Sequence, residues 1–509
     1  MIQTSSTKRL AKNTGLMYIR MILLLCISFY TSRIVLQKLG VTDYGIYNVV
    51  GSVVAMFSSL RSIFAMSTQR FLNYEMGLGN YKKLVVVFNT SIVVNILLSI
   101  FFIVLIEIIG LWFIYNKMNV PDERFVAAFW AFQISVITSI VSLYNTTFDA
   151  EIIAHEKMNF YAYLSILEGI LKLLIVYLLS IASYDKLIFY SVLHMLVFLC
   201  VFLCNYIYCY RSFEECQLNF KIDKTYLKKM TSFAGWNFIG TNAFVVSQNG
   251  LNMILNFFGG PIVNAARGIA YQVNAAVMQF ISNVVIVVNP YCIKIYAGGN
   301  HSKAMDAIIM TSKLLFTVQM CVSIPLIMLA EPLLELWLGT VPDYSLSFVK
   351  LVLLYSIVRS LHPSVDVWFK AVGNIKYYQI FEGVMLLLPM FFSYVLLKKG
   401  FAYDSVFILI VLFEIVNLFG IVVIANRISD FSLSKYFNRV LFPCLFILLV
   451  SVLIYVVLQL TMFFDFSITS ITVTLLFDLF VLLYIYIVGL NGSEKRIIND
   501  TLKSIFRHS

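Results

Sequence analysis

Charge is scarce in this sequence: Asp, Glu, Lys and Arg make up only 12% of 509 residues. A soluble protein carries about twice that share, so water is not the solvent for most of this chain. Long polar connections are lacking as well. The longest, around 211–230, is about twenty residues, which leaves no room for an inserted soluble domain. No Walker A sequence occurs, which excludes ATP binding of that kind. The five histidines (His155, His194, His301, His362, His508) stand apart from any cysteine or paired carboxylate that would suggest a metal site or a triad. The eight cysteines show no metal spacing. Most of them (Cys26, Cys200, Cys204, Cys321, Cys444) fall inside apolar runs, where a thiol is a small apolar side chain. A cleavable signal peptide is also missing, because residues 1–12 are polar and basic and the run after them is too long for an h-region. Neither an enzyme nor a resident cofactor is expected.

What is present is apolar: 61% of the residues are hydrophobic. They gather into about fourteen runs, near 15–38, 46–68, 84–110, 125–150, 160–182, 187–210, 231–256, 269–291, 307–329, 346–370, 379–397, 406–426, 441–460 and 467–489. Each is long enough to cross a bilayer as a helix. Strict alternation in ten-residue strands is absent, so the predicted fold is an all-α polytopic membrane protein and not a barrel. Lysine and arginine give the orientation. About 23 of the 37 basic residues lie on one set of alternate connections, including Lys82, Lys83, Arg211, Lys228, Lys229, Arg427 and Lys435. About 7 lie on the other set: Lys38, Lys117, Arg124, Lys186, Arg267, Lys398 and Lys399. Both termini are therefore expected in the cytoplasm. Anionic lipids of the inner leaflet account for the net charge of +11, and nucleic acid is not needed as a partner.

A few charges lie too deep for that explanation. Arg20 and Lys313 sit about one and a half turns inside the cytoplasmic face, where snorkelling and a site explain them equally well. Arg33 has the same ambiguity near the outer face. Arg61 lies roughly 13 Å along its helix from Arg70 at the expected helix exit, beyond an arginine's reach. Glu168 and Lys172, at i and i+4 with the acid first, suit either a self-neutralised structural pair or a coupling device. Arg359, Glu414 and Asp478 are deep too; Arg359 suits a cavity, Asp478 a structural partner. Gln248, Asn249, Asn252 and Asn256 form a polar stripe on the seventh span, continuing from Asn237 and Asn242. One or two such amides would be interhelical glue; six along one span suggest the wall of a water-filled passage. Farther on, Asn289-Pro290 is expected to kink or end the eighth span.

The first and seventh spans start alike and end in glycine-marked turns, Leu39-Gly40 through Gly45 and Phe258-Gly259-Gly260-Pro261. This suggests two six-helix lobes, 1–228 and 229–430, related by an axis along the membrane normal, with a terminal helix pair and cytoplasmic tail in 431–509. Several segments then point to a family. They are Thr31-Ser32-Arg33-Ile34-Val35-Leu36, Asp43-Tyr44-Gly45-Ile46-Tyr47, Gln69-Arg70-Phe71-Leu72, Asn264-Ala265-Ala266-Arg267-Gly268-Ile269-Ala270 and Leu336-Trp337-Leu338-Gly339. Together, across roughly 10–430, they resemble the bacterial polysaccharide flippases, the O-antigen and capsule translocases of the MATE-like MOP superfamily.

The resemblance implies alternating access by two lobes around a cationic cavity that holds a lipid-linked pyrophosphate. The cavity arginines would be Arg33 or Arg20, Arg61 and Arg267, with Arg267 the firmest match because its neighbours match as well. A diphosphate suits guanidinium forks, and amides suit sugar hydroxyls. The expected substrate is undecaprenyl-diphosphate-linked oligosaccharide, moved across a bacterial plasma membrane, with other polysaccharide-assembly proteins as partners and H+ or Na+ as the coupling ion. Two alternatives stay open. One is a cation-coupled multidrug exporter of the same superfamily, disfavoured by the extra helix pair and by basic side chains where acids would be wanted. The other is a membrane polymerase or glycosyltransferase, disfavoured by the short outer loops.

Overall fold

The computed structural model describes residues 13–495 except for most of 29–57, the stretches 117–120, 182–184, 218–222 and 339–340, and single positions or pairs within 462–466 and 490–493. All regular structure among the described residues is helical. The chain forms two compact units, residues 12–238 and 239–509.

The first unit contains α1 (Asn13–Ser28), α2 (Ser58–Gly77), α3 (Tyr81–Asn116), α4 (Phe125–Ala154), α5 (Met158–Ile181), α6 (Lys186–Ser212) and the start of α7 (Lys224–Ala297). Local chemistry sets the ends. The Asp185 carboxylate caps α6 by accepting from the amides of Leu187 and Ile188, at 3.0 and 3.2 Å. Gly79, at φ 68°, turns the chain from α2 into α3. Interior side chains form three apolar clusters: Phe88, Phe148, Ile152 and Cys209 in one, Ile106, Ala128, Phe132 and Leu187 in another, and Val35, Leu39, Val176 and Leu179 in the third. Polar ties join the helices: Asn205 donates to Asn145 and Asp149, each at 2.8 Å, and Ser67 donates to the Met230 carbonyl. In lipid such bonds matter, since the hydrophobic effect does not press one helix onto another there.

The second unit contains the rest of α7, then α8 (His301–Met328), α9 (Ala330–Leu338), α10 (Ser345–Arg359), α11 (His362–Val372), α12 (Lys376–Lys398), α13 (Asp404–Ile428), α14 (Leu433–Tyr436), α15 (Phe442–Thr461) and α16 (Ile468–Tyr484). α7 is two helices joined at Gly260, whose φ of 69° and ψ of −164° no other residue tolerates well. The Tyr403 hydroxyl donates to the Phe258 carbonyl at this break, 3.0 Å away. Close approach marks the packing: a Cβ on Gly420 would run into the Phe381 ring, and one on Gly250 into Met390. α16 packs on α8, and Lys313 of α8 meets Glu494, beyond the end of α16, at 2.8 Å in a buried ion pair.

Among the described residues a helix falls within each of the fourteen expected runs, the first two being described only in part, and eleven of these helices are long and apolar enough to cross a membrane. Four details depart from expectation. α2 continues to Gly77 and buries Arg70, expected at its exit, against the rings of Phe71, Tyr74 and Phe233. Aromatic faces accept a guanidinium that hydropathy alone would place outside. Pro290 does not end its helix, which runs on to Ala297; one missing amide donor is tolerated where neighbouring groups satisfy the freed carbonyl. Lys313 does not snorkel but pairs with Glu494. The tenth span divides at Ser360–Leu361, and that division shapes the candidate site.

Candidate functional site

Residues 239–509 contain two polar centres inside the helical packing. The first is Arg267. The break at Gly260 turns the chain back, so the start of the helix after it faces the end of the helix before it. Arg267 is buried, and its Nη1 donates to Asn252 Oδ1 at 3.1 Å. Its Nη2 donates to the carbonyl and to Oε1 of Gln248, at 2.8 and 2.9 Å. The guanidinium carbon lies 4.3 Å from the centre of the Tyr271 ring. Every one of these partners is neutral, and among the described residues no carboxylate pairs with Arg267. A buried guanidinium held by dipoles and a ring face is fixed in place with its charge unbalanced, which is the electrostatic condition for taking up an anion. Two of the four stripe amides, Gln248 and Asn252, serve as these holders, whereas Asn249 and Asn256 are exposed.

The second centre is acidic. Arg359, ending α10, donates to Glu382 Oε1 at 2.8 Å and to Glu414 Oε1 at 3.0 Å. It also donates to His362 Nδ1 at 2.6 Å. An Nδ1 that accepts puts the imidazole hydrogen on Nε2, which lies 3.2 Å from the Tyr378 hydroxyl and 3.3 Å from Glu382 Oε1. Glu382, Glu414, His362 and Tyr378 are all buried. With a neutral imidazole the cluster carries one net negative charge; a proton on Nδ1 would cancel it. Arg359, expected as a free cavity cation, is thus enclosed by two carboxylates. His362, expected to lack an acidic partner, has two, because the division between α10 and α11 sets its ring beside Arg359. Glu382 gave no signal in the sequence, since only the packing of α12 on α13 brings it to Glu414.

The first unit offers cations of a different kind. Arg20 lies over the Tyr161 ring, 4.8 Å from its centre, and its buried Nε has no hydrogen-bond partner among the described residues. Lys172 donates to Glu168 Oε1 within α5 and lies 4.9 Å from the Phe198 ring, so the i, i+4 ion pair is formed and half-buried. Arg61 belongs to α2, but its side chain lies outside the described residues, and so does Arg33 altogether. Two further histidines also have carboxylate partners: His155 with Glu215 at 2.6 Å and His301 with Asp430 at 2.7 Å. These pairings join residues 60 and 129 positions apart, which a linear reading cannot connect.

No protein-family profile matches the chain. No curated protein matches it either. Solved structures do match in fold. An outward-facing multidrug resistance MATE family transporter of the MOP superfamily superposes with a TM-score of 0.72 at 13% identity, covering 83% of this chain and 95% of that one. A MATE in the straight conformation gives 0.70 at 14% identity, over 83% and 96%. A MOP superfamily transporter from Pyrococcus furiosus, described as having a binding pocket of reversed polarity that suggests a different function, gives 0.68 at 15% identity, over 85% and 96%. The chain therefore has the MATE fold, and about a sixth of it lies beyond the match.

Proposed function

We propose that this chain is an alternating-access flippase that carries undecaprenyl-diphosphate-linked oligosaccharide from the inner to the outer leaflet of a bacterial plasma membrane, with both termini cytoplasmic. The observation that carries this reading is Arg267: buried, oriented by Gln248, Asn252 and Tyr271, and unpaired with any acid among the described residues. A diphosphate is the ligand such a fork suits, and the exposed Asn249 and Asn256 on the same helix suit sugar hydroxyls. Arg20 is a further cation without an acid among the described residues, and Arg61 and Arg33 complete the proposed set. The structural resemblance to a transporter with a pocket of reversed polarity supports the idea that this fold hosts sites of either sign. Ion coupling is assigned to the Arg359 cluster, where His362 Nδ1 lies within hydrogen-bond reach of both Arg359 and Glu414. Anionic lipids, and other polysaccharide-assembly proteins, are the proposed partners.

The second reading is a cation-coupled multidrug exporter, favoured by the multidrug resistance transporter that shares the fold. It would require a free acid in the cavity, whereas Glu382 and Glu414 are both bound to Arg359. The two readings part experimentally in a strain lacking its polysaccharide flippase. Surface polysaccharide should return with the wild-type chain, and resistance to cationic drugs should not rise. Drug resistance without restored polysaccharide would overturn the flippase reading.

A further inference from the structure

Outside these centres, one cluster in the first unit carries chemistry that transport does not use. Glu151, in the last turn of α4, and His155, the residue that caps its end, stand at i and i+4. Glu215 faces them from the single 3₁₀ turn Glu214–Cys216 that follows α6. One imidazole nitrogen and two carboxylate oxygens, one from each residue, lie within 4.8 Å of one another. We propose that Glu151, His155 and Glu215 bind a divalent transition-metal ion of the zinc class.

Three observations support a built site and not a chance ion pair. Both carboxylates are buried, while His155 keeps about a quarter of its side chain exposed, which leaves an approach for an ion. The imidazole is held flat against Phe213, 3.9 Å between ring centres and 8° between planes, so its Nε2 is aimed at Glu215. The Cys216 thiol donates to Glu151 Oε1 at 3.9 Å, an outer contact that orients a ligand carboxylate. One imidazole and two carboxylates are a donor set that zinc accepts, with a fourth position left for water. The ion would take the place of the hydrogen now lying between Nε2 and Glu215 Oε1, which passes to Nδ1 or to solvent. Bound there, it would clamp the end of α4 to the start of the connection between α6 and α7.

The test uses the full-length protein in detergent, without a polyhistidine tag, stripped with chelator and reloaded with zinc chloride. About one zinc ion per chain should survive gel filtration, and X-ray absorption at the zinc edge should show one imidazole with oxygen ligands. His155→Ala and Glu215→Gln should each weaken retention by at least about tenfold. Wild-type protein that retains no zinc overturns the proposal. So does retention unaffected by either substitution, or a zinc spectrum with two imidazoles or with none. The absorption measurement needs no variant, so misfolding of His155→Ala cannot leave the question open.

Discussion

At the scale of single residues, the two arginines of the second unit should fail in opposite ways. Arg267 is held by neutral groups, so Arg267→Ala strands no charge and should leave membrane yield close to wild type, while polysaccharide export falls at least about tenfold. Arg267→Lys keeps the charge but loses the fork, and should restore only part of the activity. Full activity in both variants would remove Arg267 from the substrate site. Arg359→Ala instead leaves Glu382 and Glu414 facing each other in a buried site, with a loss on the order of 3–5 kcal/mol. Yield and melting temperature in detergent should fall together there, before transport is considered. His362→Gln replaces the imidazole with a neutral amide of similar length; it should fold, and transport should no longer follow an imposed pH gradient. A gradient response that persists in this variant would move coupling elsewhere. Arg267 stood out in the sequence because its neighbours carry a pattern. The acidic cluster was not, because Arg359, Glu382 and Glu414 come from three helices and meet only through packing.

At the scale of helices, the turns carry the information that hydropathy does not. Arg124 joins two of them: it donates to both oxygens of Asp43, at 2.8 and 2.6 Å, and also to Asp185, the cap of α6. Burial raises the Asp185 pKa, but the bonds from Arg124 and from the amides of Ile188 and Leu187 outweigh it, and the carboxyl ends below its ordinary value. A carboxyl depressed on folding stabilises the fold fully above its unfolded pKa of about 4, and that contribution is lost as the pH falls through the lower folded value. The melting temperature of the wild type should therefore drop on acidification below about pH 4, and Asp185→Asn should flatten that limb. An acid limb that is unchanged in Asp185→Asn would remove this contact from the account. The sequence alone displayed Asp43 and Arg124 as loop charges. The elements were legible because apolar length is a strong signal. Their ends were less so: α2 runs on past Arg70, which stacks on rings, and the helix that holds Pro290 continues to Ala297.

At the scale of the whole molecule, the terminal helices pose the sharpest question. Solved MATE structures are covered almost completely by the match, yet about a sixth of this chain lies beyond it, so some part of the molecule is additional to that fold. The segment after residue 430 is fastened to the second unit by polar bonds and not by apolar contact alone. Lys313 and Glu494 pair within the packing, and the Tyr436 hydroxyl, fully buried, shares hydrogen bonds with Ser312 of α8, itself bonded to Ser364 of α11. If this pair is an anchor, Glu494→Gln should strand the Lys313 ammonium and lower the folded yield, by a few kcal/mol at most. Lys313→Met alone should strand the carboxylate with a similar effect. Combined, the two should restore most of the yield, since a buried ion pair replaced by neutral groups is often nearly neutral in stability. Transport should return with the yield, because the bond fastens helices and touches neither polar centre. Full yield in both single variants would show that the terminal helices are held by something other than this ion pair. A folded double variant that exports nothing would instead make Lys313 and Glu494 part of the transport cycle.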